Sequence, residues 1–161
     1  MQNHKKNTLI VGFININGIP NSNKHEKNNP LYQSISNFNA DIIGLAEVNQ
    51  HWMKIDSNRQ WKMRTMGWWE SSHASISYNR IDLQHHNSFQ PGGIILQSIN
   101  QISYRVCDSG IDPVKLGRWT WTKLIGRQNI ALRVVCANLP CKPSSIGMQT
   151  VYSQHKRVFD S

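Results

Sequence analysis

The sequence predicts a mixed α/β fold built on β-sheets, and three observations support this class. The chain opens in the order strand, helix, strand within residues 8–48, and residues 73–140 then supply five further short strand candidates. Of its 161 residues, 39% are hydrophobic and only 17% are charged, which suits a folded domain rather than a disordered chain. We therefore expect one layered α/β domain over residues 8–161, preceded by a flexible N-terminus at residues 1–7.

The opening elements follow from apolar periodicity and turn residues. Residues 8–17 are rich in β-branched and aromatic side chains and end in an Asn-Gly turn, which predicts a strand. After a polar loop at residues 20–29, Pro30 suits the first turn of a helix. The apolar face of this helix carries Leu31, Ile35 and Phe38. The nearly unbroken apolar run DIIGLAEV at residues 41–48 predicts a strand that is covered on both faces.

The rest of the chain is typical of short strands joined by turns. The strand candidates are residues 73–80, 92–98, 101–108, 117–125 and 129–140. Gly126–Asn129 predicts a hairpin turn between the last two of them. Residues 150–159 predict a helix with Val151, His155 and Val158 along one side.

The charge balance favours an anionic partner. Eighteen Lys and Arg residues stand against nine Asp and Glu, giving a formal charge of +9. The part after Ile102 carries nine basic and three acidic residues and so contributes most of this excess. Nucleic acid is the expected partner, although a net charge can also serve solubility alone.

Cysteine usage and hydropathy indicate an intracellular protein. Three cysteines without a Cys-x-x-Cys pair support neither a disulfide framework nor a zinc site, and a reducing compartment is therefore expected, nuclear or cytoplasmic. No apolar run approaches the roughly 20 residues that a membrane helix needs, so no membrane association is expected.

Polar side chains at the ends of the first two strands are the candidate chemical site. Asn15 and Asn17 alternate along the first strand and therefore share one face, while Glu47 closes the second apolar strand. If the two strands are parallel neighbours, these residues meet at one sheet edge, with Glu47 as the expected hydrogen-bond partner of Asn15. One carboxylate with neutral oxygen ligands suits Mg²⁺. The alternatives are a solvated glutamate and an ordinary Asn-Gly turn.

The strand with two tryptophans leaves two interpretations open. Trp119 and Trp121 share one strand face with Lys123, and aromatic rings beside basic groups can stack on bases and hold phosphates. Strand tryptophans are, however, more often part of the core, and the same holds for the adjacent Trp68 and Trp69.

Several motifs, taken in order, resemble the endonuclease/exonuclease/phosphatase family of Mg²⁺-dependent phosphodiesterases. In that family a strand ending in Asn-x-Asn-Gly or Asn-x-Asp-Gly is followed, after a helix, by a strand ending in a Leu-x-Glu-Val type motif; here they read NINGIP and LAEVNQHW. The later segments QPGG, GRWTWTKL and CANLPCKP are similar to successive pieces of the retrotransposon-type members. The resemblance covers residues 9–159 and implies part of a DNase I-like, four-layered α/β sandwich with mixed, mainly antiparallel sheets.

The resemblance also implies roles for individual residues. Glu47 matches the metal-binding glutamate and Asn15 the asparagine that supports the catalytic centre, while Asn17 stands where some members have an aspartate near the metal. Asn138 occupies the place of a tyrosine expected near the scissile phosphate. Arg118 and Lys142 are candidate phosphate contacts on DNA or RNA.

Two motifs of the family are missing from this sequence. The Gly-Asp-Phe-Asn type motif and the final Asp-His pair, which handle the nucleophilic water and contact phosphate, have no counterpart before Ser161. The chain thus resembles the amino-terminal portion of such a domain, and exposed apolar surface, marginal stability and self-association are expected. Two alternatives remain, namely a non-catalytic nucleic-acid-binding remnant and an unrelated basic β-rich binding module.

We predict that the purified chain does not nick supercoiled plasmid in Mg²⁺, because a base that prepares water has no candidate in it. Gel electrophoresis of the plasmid tests this. Robust Mg²⁺-dependent nicking that disappears in Glu47→Gln would contradict it.

Overall fold

Two β-sheets pack against each other, and a helix lies beside the first of them. The structure is a computed structural model that describes residues 8–19, 29–81 and 88–139. The predicted helix at residues 150–159, the loop at residues 20–28 and the N-terminus lie outside the described residues. Within the described ranges, no helix is long and apolar enough to cross a membrane.

The first sheet has four strands, and its order places the second strand at its centre. The strands are β1 (Val11–Asn15), β2 (Ile42–Ala46), β3 (Ser72–Ser77) and β4 (Ile94–Ile99), in the spatial order β1-β2-β4-β3. The β1–β2 pair is parallel, whereas β2–β4 and β3–β4 are antiparallel. All five residues of β2 are buried, so the prediction of a strand covered on both faces is confirmed.

The second sheet is an antiparallel meander of three strands. It contains β5 (Val106–Ile111), β6 (Trp119–Ile125) and β7 (Ala131–Ala137), in that order. A short 3₁₀ turn at Arg127–Asn129 joins β6 to β7 where the sequence predicts a hairpin turn. The architecture is therefore mixed α/β, with mainly antiparallel pairing in two sheets, as predicted at this level.

Apolar side chains from both sheets form the core between them. This cluster contains Ile42, Ile94 and Leu96 of the first sheet and Leu124 and Cys136 of the second. Burial raises the pKa of the Cys136 thiol to about 11, so the thiol stays protonated at neutral pH and packs as an apolar group.

A second core lies on the other side of the first sheet, under helix α1 (Pro30–Asn37). Asn29 caps the helix by accepting a hydrogen bond from the Leu31 backbone N–H at 2.9 Å. Leu31 and Ile35 are buried as predicted. Phe38, in contrast, ends the helix as its C-cap and is 43% exposed, so its predicted place on the buried face is wrong.

Short helical turns fill the segment between β2 and β3. They are the 3₁₀ turns Trp52–Lys54 and Ser57–Arg59 and the short helix α2 (Trp61–Arg64). Trp61 and Trp68 are buried and contact each other edge to face, while Trp69 is partly buried beside them. The predicted core position of this tryptophan pair is thus confirmed for Trp68 and met in part by Trp69.

Two sequence-based assignments are wrong in the second sheet. The strand expected over residues 101–108 is a 3₁₀ helix at Asn100–Arg105, and β5 begins only at Val106. On β6, Thr120 and Thr122 face the interior while Trp119 and Trp121 are half-buried on the opposite face. Trp119 and Trp121 therefore do not lie in the core between the two sheets.

One side of the sandwich leaves apolar side chains exposed along two sheet edges. Within the described part of the chain, β1 pairs only with β2, and β7 only with β6. Val11, Phe13 and Val135 are each about half exposed, and a groove of about 280 Å³ runs between the two edge strands. The expectation of exposed apolar surface is met here, and self-association through it stays a prediction.

We predict that Gly44→Ala destabilises the protein by about 1–3 kcal/mol, because overpacking a tight interface costs this much. A Cβ atom at Gly44 would lie 2.5 Å from the Cys136 Sγ of the facing sheet. Urea denaturation measures the change in the free energy of unfolding.

Gly12→Ala is the matched control, since its Cβ would meet only ordinary contacts at 3.4 Å. In a Cys136→Ala background the Gly44→Ala penalty should shrink, because the clashing sulfur is gone. An undiminished penalty there would contradict the proposed cause.

Candidate functional site at the strand tips

The parallel pairing of β1 with β2 brings the carboxyl ends of both strands together. Asn15 pairs with Ala46 in the strand register. Beyond the register pair, the Ile16 N–H donates to the Ala46 carbonyl at 3.1 Å and the Gly18 N–H to the Glu47 carbonyl at 2.6 Å. The predicted parallel pairing of the first two strands is confirmed, and it places Asn15, Asn17 and Glu47 at the same end of the first sheet.

The tips of the other strands reach the same end of the sandwich. Ala46 and Ser77 both pair with Ile94, so β2 and β3 end where β4 begins. An isolated bridge between Asn79 and Leu116 links this end to the segment before β6. The edge that holds Glu47 is thus continuous with the loops of both sheets.

The two asparagines form a turn with each other. The Asn15 Oδ1 accepts a hydrogen bond from the Asn17 backbone N–H at 3.0 Å, and Asn17 has a φ of 46°. Both side chains are exposed. Asn15 therefore bonds Asn17 rather than Glu47, because its short side chain reaches the backbone two residues on. The interpretation of Asn17 as a turn residue is confirmed.

Glu47 is a half-buried carboxylate directly after β2. No hydrogen bond or ion pair of its side chain is found among the described residues. Its backbone lies in the left-handed region, with a φ of 52°, which costs an L-residue about 1–2 kcal/mol. A half-buried carboxylate held in this backbone conformation is a functional-site candidate on physical grounds.

Asn49 and the QPGG segment hold Glu47 in place. The Asn49 N–H donates to the Gly92 carbonyl at 2.7 Å, and the Asn49 Oδ1 accepts from the Gly92 N–H at 2.8 Å. The Val48 N–H donates to the Gly93 carbonyl at 3.3 Å. Both glycines have positive φ, which only glycine adopts without cost. The loop before β4 thus fixes the backbone on the carboxyl side of Glu47.

Sequence reasoning missed Asn49 as a positioning residue. Asn49 has a φ of 54°, so three non-glycine residues at this edge, with Asn17 and Glu47, are left-handed. Two signals were available, namely the position of Asn49 soon after Glu47 and a Gly-Gly pair that lets another backbone approach. Asn49 and Gly92 are, however, more than 40 residues apart in the chain. Spacing along the chain does not predict such a contact.

Arg118 lies at this end of the molecule but is largely buried, with 8% exposure. Burial lowers the pKa of its guanidinium, and the nearby Asp112 opposes this shift. The buried Asp112 carboxylate also accepts hydrogen bonds from the backbone N–H groups of Val114, Leu116 and Arg118. Arg118 is therefore part of a folded loop, and a phosphate contact through it stays a prediction.

The remaining predicted nucleic-acid contacts are placed only in part. Asn138 is partly buried just after β7, and its N–H donates to the Arg118 carbonyl at 2.9 Å. It therefore lies at the same end of the sandwich as Glu47. Lys142 lies outside the described residues.

The side chains at this edge fit Mg²⁺ by their chemistry. Glu47 supplies one carboxylate, and the Asn17 amide supplies a neutral oxygen at the adjoining tip. Mg²⁺ keeps several waters and binds through one or two carboxylates, so it does not need a dense ligand cage. In the described ranges no group of three or more His, Cys, Asp and Glu side chains could hold a metal together.

Two comparisons with known proteins gave no match. No protein-family model matches the chain. No curated protein matches it either.

We predict that Glu47→Gly is more stable than Glu47→Ala by about 0.5–1 kcal/mol, because glycine removes the left-handed penalty that alanine keeps. Thermal or urea unfolding of the two variants measures the difference.

The same pair of substitutions at Lys62, an exposed residue of helix α2, is the control. There alanine should be the more stable by up to about 1 kcal/mol. Equal stabilities of the two Glu47 variants would contradict the claim that the backbone of Glu47 is strained.

Proposed function

We propose that this chain supplies the metal-binding residues of a Mg²⁺-dependent phosphodiesterase site that acts on DNA, of the endonuclease/exonuclease/phosphatase type found in retroelements. The observation that carries the proposal is the parallel β1–β2 register, which joins Asn15, Asn17 and Glu47 at one edge.

The packing of the two sheets supports the same fold type. Helix α1 covers one face of the first sheet and the second sheet covers the other. We propose that these layers belong to a DNase I-like, four-layered α/β sandwich. The order of motifs along the chain, from NINGIP through LAEVNQHW to QPGG, agrees with that arrangement.

Each residue has a distinct part in the proposed site. Glu47 holds the ion through its carboxylate and Asn17 through its amide oxygen, while Asn15 fixes the turn that carries Asn17. The bound Mg²⁺ would neutralise charge that develops on the phosphodiester oxygens. The QPGG loop keeps the Glu47 backbone in position.

A second candidate is nucleic-acid binding without catalysis, and the charge of the second sheet favours it. Residues 105–139 contain six Lys and Arg against two Asp, and of these charged residues Arg118 and Asp112 are buried. On the outer face of this sheet, the Arg133 guanidinium lies 4.2 Å from the centre of the Trp121 ring. Such a face can hold phosphates and stack on bases.

We predict that Glu47→Gln weakens Mg²⁺ binding at least about tenfold, because the amide keeps the shape of the side chain but removes its charge. Isothermal titration of Mg²⁺ into the protein with a short DNA duplex measures the affinity.

Glu70→Gln is the matched control, as Glu70 is an exposed glutamate away from the strand tips. It should leave Mg²⁺ affinity unchanged. If wild type and Glu47→Gln bind Mg²⁺ equally, the metal site is wrong. DNA binding in EDTA that persists in both proteins would then favour the non-catalytic candidate.

A further inference from the structure

A pocket of about 360 Å³ adjoins the edge that holds Glu47. Its described lining includes Asn17, Asn49, Gln50, Ser88 and Phe89. Three of the described residues that line this pocket carry amide side chains. These amides can donate hydrogen bonds to a neutral ligand and accept hydrogen bonds from it.

Gln50 leaves a buried acceptor at this pocket. The side chain is 7% exposed, and its Nε2 donates to the Ile19 carbonyl at 3.4 Å. Its Oε1 is buried and has no hydrogen-bond partner. An unsatisfied buried polar atom costs about 1–3 kcal/mol, and a ligand that donates a hydrogen bond here would recover part of that cost.

Asn49 offers a donor next to this acceptor. Its Oδ1 is occupied by the Gly92 N–H, so its Nδ2 is the group that remains for a ligand. The Nδ2 lies beside Gly18, 3.6 Å from where a Cβ of that glycine would be. The pocket thus presents an acceptor and a donor on successive residues.

Phe89 adds an aromatic surface to the pocket. Its side chain is 54% exposed, and an isolated β-bridge to Gln50 holds its backbone against the amide wall. An exposed ring fixed beside hydrogen-bonding amides is the arrangement with which proteins stack unpaired bases and read their edges.

We infer that this pocket binds a nucleobase of an unpaired nucleotide, stacked on Phe89 and hydrogen-bonded by Gln50 and Asn49. Adenine is one base that fits the amides, because it presents an exocyclic amine donor next to a ring nitrogen acceptor. The inference rests on the proposed phosphodiesterase function, which it deepens by giving the substrate an unpaired base beside the Glu47 edge. Base binding itself requires neither Mg²⁺ nor Glu47.

Binding of short labelled single-stranded oligonucleotides, followed by fluorescence anisotropy in EDTA, tests the pocket. Wild type should bind an oligodeoxyadenosine more tightly than the same backbone with abasic sugars. Phe89→Ala should weaken binding of the base-containing strand by about fivefold or more, the value of one stacked base, and leave abasic binding unchanged. Phe89→Tyr should restore the preference because it keeps the ring.

Tyr104→Ala is the matched control, since Tyr104 is 70% exposed in the 3₁₀ helix that follows β4 at the opposite end of the sandwich. It should leave both affinities unchanged. Equal binding of base-containing and abasic strands by wild type, or an unaltered preference in Phe89→Ala, would overturn the inference.

The Glu47→Gln variant separates this inference from the proposed function. It should keep the base preference in EDTA, since the metal takes no part in that measurement. If the base preference depends on Phe89 but Glu47→Gln binds Mg²⁺ as tightly as wild type, the base pocket is supported and the proposed phosphodiesterase site is refuted. If Glu47→Gln loses Mg²⁺ affinity and wild type shows no base preference, the phosphodiesterase site is supported and the base pocket is refuted.

Discussion

The parallel hydrogen bonding between β1 and β2 is the constraint on which the candidate site depends. It sets Asn15 opposite Ala46, so Asn17 and Glu47 both lie just beyond the carboxyl ends of their strands. Because side chains alternate along a strand, a shift of one residue would take Ile14 out of the core under helix α1. The burial of all five β2 residues resists such a shift, and the hydrophobic core thereby fixes the geometry of a polar edge.

The sequence predicted the elements whose patterns are local and strong. The apolar run of β2, the Pro30 helix start and the hairpin before β7 are of this kind. Asn100–Arg105 was missed although its residues suit a strand. There Ser103 donates to the Asn100 carbonyl at 2.7 Å, and Asn100 has a φ of 51°. These local bonds favour a helical turn over strand pairing.

On β6 the threonines, and not the tryptophans, face the interior. The reason lies in contacts with other strands, which the sequence of β6 alone does not reveal. Thr120 is fully buried, yet its hydroxyl bonds the Gly110 carbonyl at 2.9 Å and also contacts the Ser75 hydroxyl of the other sheet. Once this hydroxyl is satisfied, a threonine can occupy the interior at low cost. Trp121 then covers Gly110 on the outer face, where a glycine leaves room for the ring. For the site, likewise, the sequence located Asn15, Asn17 and Glu47, but the pocket of Gln50 and Phe89 depends on distant pairing.

Three of the seven non-glycine residues with positive φ in the described part of the chain lie at this edge. Asn17, Glu47 and Asn49 are all left-handed, a conformation that asparagine tolerates but that is costly for glutamate. Glycine at residue 47 would relieve that cost while keeping the backbone hydrogen bond to Gly18. Folding alone therefore gives no reason for a glutamate here, and this is one ground on which we propose a metal-binding role for it. Hydrogen bonds from the QPGG loop and from Gly18 hold the strained segment on both sides. The surrounding fold thereby maintains a backbone conformation that is unfavourable for the residue itself.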